Sequence, residues 1–343
     1  MGSISCDSER AVAGIFNSAV AAWAIGPAWE LGLLDELRNN RVLNAKKFAQ
    51  QNNLHSGSTE GMVAALAIAH IVTRDGDNII PGPLFDETYR SKSLFHWLCL
   101  GSGELFSKMQ YHLRNENRKG EDYYTRDAAA IAYACRDINT YYFDPAFWAA
   151  MGGLGYDFKS VVDLGCGSGK RLMQILDSYP GTKAIGVDLA SPSLQVAAAE
   201  AKQLGYGGRL NFVEGDARNL QYREEFAEVD LLTCFMMGHD FWPRESCIKT
   251  LRRLHDSFPN VKRFVLGDAT RILLNSKGSR TAVPESNVPI FTLGFELGHE
   301  MMGVYMPTMD EWDSVFETSG WRCVKKHPIP NLTLSIVFVL ERL

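Results

Sequence analysis

Apolar residues follow a helical period at the start of the chain and a strand-like one after residue 160. Val12, Ile15, Phe16, Val20 and Trp23 recur three and four apart, and a second apolar stretch runs from Ala28 to Leu37. This spacing predicts helix over residues 9–40. Asn44 is placed to cap a segment Ala45–Gln51, and the Ser56-Gly57-Ser58 turn opens a further helical run, Thr59–His70. Two short extended pieces follow, Ile71–Arg74 and Asn78–Pro81, joined by Asp75-Gly76-Asp77. An Asp-Gly turn between such pieces is a hairpin signal. Helices followed by a small hairpin predict a winged-helix domain over residues 1–90. Residues 91–150 read as a helical linking segment rich in aromatics, such as Tyr123, Tyr124, Tyr141, Tyr142, Phe147 and Trp148.

At Ser160 short β-rich runs begin to alternate with helical ones: Ser160–Leu164, Ala184–Val187, Leu210–Val213, Val229–Phe235 and Phe264–Leu266. That alternation predicts an α/β domain over residues 151–343, a Rossmann-like parallel sheet with helices on both faces. Two more strands, Trp321–Lys326 and Thr333–Leu340, are separated only by Pro328–Asn331. That connection is too short for a parallel crossover, so the last strand is expected to be antiparallel.

Charge narrows the function of the first domain. Lys and Arg number 35 against 40 Asp and Glu, a formal net charge of −5. The run from His55 to His70 holds no Lys or Arg and one Glu, Glu60. A helix meant for the major groove needs donors for phosphates and base edges. The winged helix is therefore expected to be a scaffold that forms a homodimer, with no nucleic-acid partner. A ligand-binding transcription factor is disfavoured on the same ground. The seven cysteines are scattered, odd in number and form no CxxC pair. This argues against a disulfide framework or a thiolate zinc site and predicts a reducing, cytoplasmic setting. No apolar run approaches the roughly 20 residues that span a bilayer, and the N-terminus lacks the basic-then-apolar order of a signal peptide, so no membrane partner is expected.

The first strand of the α/β domain runs into Asp163-Leu164-Gly165-Cys166-Gly167-Ser168-Gly169. Glycines let the backbone turn sharply and approach a ligand closely. The loop matches neither the phosphate cradle G-x-x-x-x-G-K-[ST] nor the dinucleotide spacing G-x-G-x-x-G. Asp163 before the glycines suits a ligand with positive charge. The second strand ends in Asp188, an acid placed to accept both ribose hydroxyls. The third is followed by Asp216-Ala217, placed to meet an adenine edge. Three successive strand ends carrying an acid form the arrangement that binds S-adenosylmethionine, and residues 150–343 resemble the class I methyltransferase fold. The expected cofactor contacts are Asp163, Gly165, Gly167, Asp188, Leu189, Asp216, Ala217 and Met236.

The fourth strand leads into Met236-Met237-Gly238-His239-Asp240. Ligands of open α/β sheets bind beyond the carboxyl ends of the strands, so His239 and Asp240 emerge beside the methyl donor. The pair, with the helix that follows it, resembles small-molecule O-methyltransferases, in which the matching His removes a proton from a substrate hydroxyl. A second histidine lies in Phe295-Glu296-Leu297-Gly298-His299. Two imidazoles and one carboxylate make up the facial triad of non-haem iron, whereas a histidine such as His299, taken alone, is more often a structural or surface residue.

Longer stretches decide between these. Phe95–Leu98, Gly101–Phe106, Asn115–Arg118, Arg126–Ala128, Phe143–Trp148, Cys234–Cys247 and Gly294–Pro307 together resemble a small bacterial family, the 2-oxo acid C-methyltransferases. These methylate C3 of substrates such as phenylpyruvate, 4-methyl-2-oxopentanoate or 5-guanidino-2-oxopentanoate and supply β-methyl amino acids to peptide antibiotics and related natural products. The resemblance spans nearly the whole chain. It implies iron ligands at His239, Asp240 and His299, substrate contacts at Trp97, Ser102, Arg126 and Phe291, and catalytic roles for His239, Asp240, His299 and Arg126. A metal that chelates the keto and carboxylate oxygens acts as a Lewis acid on the enolate, and Arg126 suits the carboxylate. The polar loop Arg271–Asn287 is a departure from the family pattern. The base that takes the C3 proton stays open. The alternative implied by the shorter resemblance is metal-independent O-methylation with His239 as base.

Overall fold

The computed structural model describes residues 2–120, 122–276, 282–330, 332 and 335–343. The chain folds as two compact units, Met1–Tyr141 and Tyr142–Leu343. The boundary falls inside the stretch 91–150, most of which packs within the first unit.

The first unit opens with α1 (Gly2–Glu30) and α2 (Leu33–Asn40), separated by Gly32 in the left-handed region at φ +83°. Then come β1 (Leu43–Asn44), α3 (Ala45–Gln51) and α4 (Ser56–Ile68). The Asn44 side chain accepts from the Lys47 N–H and caps α3, as its position predicts. Helix α4 starts earlier than the serine-glycine turn suggests, because the His55 ring accepts from the Ser58 N–H and caps it. β2 (Val72–Asp75) and β3 (Asn78–Pro81) form the predicted hairpin, and β1 joins it in an antiparallel sheet ordered β1-β3-β2. Leu33, Leu34, Leu37, Phe48, Val63, Leu66 and Ile79 close the core beneath this winged helix. The expected aromatic segment is broken into α5 (Phe85–His96), a π-helical turn at Trp97–Gly101, α6 (Gly103–Ser107), α7 (Met109–His112) and α8 (Ala128–Ile138).

Helix α1 corrects one expectation. Asp7–Glu30, which contains an 18-residue window of mean hydropathy 1.4, is long and apolar enough to cross a membrane by length and composition. Alanines and glycines between the bulky residues conceal this in the one-dimensional pattern. Ala21, Ala24, Ile25, Ala28 and Trp29 are buried in the core of the unit, whereas Val12, Ile15 and Phe16 are exposed.

A second π-helical turn, Asn139–Phe143, leads into α9 (Asp144–Gly152). The α/β unit then alternates β4 (Ser160–Leu164), α10 (Lys170–Ser178), β5 (Lys183–Asp188), α11 (Ser191–Gln203), β6 (Leu210–Glu214), β7 (Leu231–Phe235), α12 (Arg244–Ser257) and β8 (Arg263–Ala269). A two-residue parallel pair, β9 (Leu273–Leu274) and β10 (Ala282–Val283), precedes α13 (Thr292–Met302), α14 (Met309–Phe316), β11 (Trp321–Pro328) and β12 (Ser335–Arg342). Of the departing loop Arg271–Asn287, residues 277–281 lie outside the described residues.

The seven-stranded sheet has the order β11-β12-β8-β7-β4-β5-β6. β4 to β8 are mutually parallel, and β12 inserts antiparallel between β8 and β11, as the short turn requires. The central strands are buried on both faces and read as near-continuous apolar runs. Trp312, Trp321, Phe316, Phe338, Phe226 and Phe258 fill the layer beneath α12 and α14, and the Trp321 indole N–H donates to the Leu251 carbonyl at 3.0 Å. This frame aligns the carboxyl ends of β4, β5, β6, β7 and β8 along one edge, with the strand order reversing at β4.

Candidate active site

The glycine loop after β4 adopts backbone conformations that side chains resist. Gly165 and Gly169 both have φ near +71°, and a Cβ on them would stand 2.6 Å from the Met237 sulfur and from the Phe212 ring respectively. Asp188, at the end of β5, accepts from the Gly167 N–H at 2.9 Å and from the Ala190 N–H at 3.0 Å. A carboxylate offers about four acceptor directions, so Asp188 braces the loop and retains capacity for the ribose hydroxyls. Asp163 is buried and accepts from the Thr233 hydroxyl at 2.6 Å. Burial raises its carboxyl to about 6, against the opposing pull of the Arg171 guanidinium and of Thr233.

Asp216, after β6, caps the 3₁₀ turn Ala217–Asn219. Its carboxylate is clamped by Arg218, with Nε to Oδ1 at 3.0 Å and Nη2 to Oδ2 at 3.1 Å. Partial burial opposes ionisation there, but the hydrogen bonds from Arg218 outweigh it and hold the group below the usual range. Ala217 is buried beside it and Leu189 is exposed. Met236 turns the chain out of β7 at φ +54°, its N–H bonded to the Gly267 carbonyl at 2.9 Å. Met237, not singled out in the sequence, is the residue that covers Gly165. The eight expected cofactor residues thus gather at four adjacent strand ends. The side-chain-free cradle and its braced N–H groups fit S-adenosylmethionine.

The reaction end is built by the turn after β7, by β8 and by α13. Gly238–Phe241 is a 3₁₀ turn. Its His239 is buried, and Nδ1 lies 2.7 Å from Oδ1 of the fully buried Asp268 on β8. The carboxylate accepts, so the Nδ1 nitrogen carries the proton and Nε2 is the basic one. His299, buried on α13, donates from Nδ1 to the Phe295 carbonyl at 2.7 Å. The two rings stand edge to face with centroids 5.0 Å apart, and Phe295 lies 4.0 Å from His299 and 5.2 Å from Phe291. Asp268 was not among the expected site residues. The available signal was an acid in Gly267-Asp268-Ala269, at the end of the fifth strand.

The iron set does not fit as expected. Asp240 is exposed, and among the described residues no group of three or more His, Cys, Asp or Glu comes together to hold a metal. In a 3₁₀ turn successive side chains are about 120° apart, so with His239 directed inward its neighbour Asp240 faces elsewhere. Two of the three proposed ligands meet and the third does not. Trp97, Ser102 and Arg126 belong to the first unit, where Trp97 and Ser102 are buried and Arg126 is half-buried; Phe291 belongs to the second.

Comparison with known proteins agrees with this geometry. Residues 161–257 match a family described as "Methyltransferase domain". The chain is 60% identical over 341 residues to methyltransferase ungE' of Aspergillus campestris, covering 99% of both chains. It is 26% identical over 345 residues to indolepyruvate C-methyltransferase of Streptomyces griseus, covering 97% of this chain and 95% of that one. Among solved structures, mitomycin 7-O-methyltransferase MmcR superposes with a TM-score of 0.66 over the whole of both chains at 17% identity, which shows a shared two-domain fold. The chain belongs to the S-adenosylmethionine-dependent class I methyltransferases.

Proposed function

We propose that this methyltransferase methylates C3 of a 2-oxo acid, as a step in making a β-methyl amino acid for a peptide natural product. The observation that carries this reading is the pairing of His239 and His299, two buried imidazoles 5.0 Å apart that are both tied through Nδ1. Methylation of a hydroxyl needs one base. Carbon methylation next to a ketone needs a base for the C–H and a donor for the oxygen that becomes an enolate. The similarity to indolepyruvate C-methyltransferase over nearly the full length supports it, since indolepyruvate is itself a 2-oxo acid.

In this reading His239 takes the C3 proton at Nε2, and Asp268 stabilises the imidazolium that results. His299 acts as the imidazolium: with its Nδ1–H held by the Phe295 carbonyl, its Nε2–H donates a hydrogen bond to the keto oxygen as negative charge develops there. Phe291 and Phe295 give the substrate side chain an apolar surface and keep water from the carbanion. When bound, S-adenosylmethionine supplies the electrophilic methyl group to which C3 adds.

Incubation with methyl-labelled cofactor and aromatic, branched and guanidino 2-oxo acids tests the proposal. The label is expected on C3 with the ketone retained, and C3 hydrogens are expected to exchange with deuterated water when S-adenosylhomocysteine occupies the cofactor site. A methyl ether or ester as the sole product would establish the O-methylating alternative. The exposed stripe Val12, Ile15 and Phe16 on α1 supports the further proposal that two copies associate through the first unit.

A further inference from the structure

Arg171 lies in the first turn of α10, directly after the glycine loop. Its side chain is only 8% exposed. Nη1 lies 3.3 Å from Oδ1 of Asp144 on α9, yet forms no hydrogen bond of good geometry. Asp163 is its second electrostatic partner. The flat guanidinium lies over the Phe235 ring at 3.9 Å from the centroid and over Phe147 at 4.6 Å. Phe235 ends β7 and leads directly into Met236 and the His239 turn. Phe143 and Phe147 meet its ring edge-on at 6.1 and 5.3 Å, and the ring occupies the space left by Gly267, where any Cβ would collide with it.

We propose that Arg171 is a positioning residue with two separable functions: its charge holds the Asp163 carboxylate for the ammonium of the cofactor's methionine end, and its plane fixes Phe235 and so the turn that presents His239. A buried cation with two carboxylates and two aromatic faces is more than α10 needs for packing. A Leu or Met there would fill the same volume without the cost of desolvating a charge. Other groups facing Asp163 are Thr233 and Cys234 from β7, Asp188 from β5 and Cys166 from the loop, with Asp144 facing Arg171 from α9. Arg171 is the one cation among these, so it is the group whose removal leaves Asp163 uncompensated. The inference rests on Asp163 lying in the cofactor site and is independent of which substrate is methylated.

Calorimetric titration of the full-length protein with S-adenosylhomocysteine, from about pH 5.5 to about pH 8, tests it. Affinity in the wild type is expected to weaken as pH falls through the Asp163 titration. In Arg171→Met the midpoint should move up by about one unit, so affinity falls less than about twofold at the new midpoint and approaches about tenfold below both midpoints. Arg171→Lys keeps the charge and loses the plane, so its midpoint should stay while kcat falls severalfold with S-adenosylhomocysteine affinity unchanged. An Arg171→Met protein whose affinity tracks the wild type at every pH overturns the charge function. An Arg171→Lys enzyme with full kcat overturns the stacking function. If Arg171→Met does not fold, Asp163→Asn decides: weaker, pH-independent binding supports the scheme. Wild-type affinity in Asp163→Asn would remove Asp163 from the cofactor site, leaving the C-methylation proposal intact.

Discussion

Nδ1 of His239 and Oδ1 of Asp268 lie 2.7 Å apart, although 29 positions separate the two residues in the chain. The contact exists because β7 and β8 are adjacent and parallel, with Phe235 opposite Gly267 at their shared end. Each strand then delivers one member of the dyad. Asp268→Asn keeps the volume and removes the charge that stabilises an imidazolium. It is expected to lower kcat by about 10²- to 10⁴-fold while leaving S-adenosylhomocysteine affinity unchanged in calorimetry.

His299 separates the two chemistries. Under C-methylation, His299→Ala should reduce turnover of 2-oxo acids by about 10²-fold or more, and should equally slow C3 hydrogen exchange measured by mass spectrometry. Full exchange and full turnover in the variant would show that the second imidazole only packs against Phe295.

Asp188 both braces the loop and offers oxygens to the ribose. Asp188→Asn keeps one acceptor oxygen, loses the charge and leaves one of the two backbone N–H groups unpaired. Cofactor affinity should fall by about tenfold or more, the range expected for charge-assisted hydrogen bonds, with a folded circular dichroism spectrum.

Asp163 predicts the sign of a pH effect on stability. Its carboxyl is raised to about 6 in the folded protein and titrates near 3.9 when unfolded, at about the model-peptide value. Between those values the folded state binds a proton that the unfolded chain has lost. This term therefore favours folding at low pH and is lost as pH rises through the folded value. Without bound cofactor, the stability difference between wild type and Asp163→Asn should move in favour of the variant as pH rises from about 4 to about 7. Denaturant titrations at several pH values measure it.

The outward stripe of α1 predicts association. Phe16→Asp should convert a dimer to a monomer in light scattering at micromolar concentration without lowering the melting temperature of the monomer, because residue 16 is 70% exposed within the chain. An unchanged mass in the variant would place the association elsewhere. Binding of the wild type to lipid vesicles would assign the stripe to a membrane instead.

Features set by nearest neighbours along the chain were legible without a structure. The helical period of α1, the Asp-Gly hairpin, the capping of α3 by Asn44, the β-rich runs and the antiparallel last strand all depend on residues within a few positions of one another. The glycine loop and its three acids belong to the same category, since each sits at the end of its own strand. Asp268, Met237 and Arg171 act on residues far away in sequence, and only the order β8-β7-β4 brings them to His239, Gly165 and Phe235. Asp240 shows the converse. Adjacency to His239 in sequence suggested a shared ligand set, but the 3₁₀ turn between Gly238 and Phe241 rotates neighbouring side chains apart. Sequence pattern by itself determined which elements form and which strand ends carry acids. The packing of strands and the direction of one turn decided which of those side chains meet.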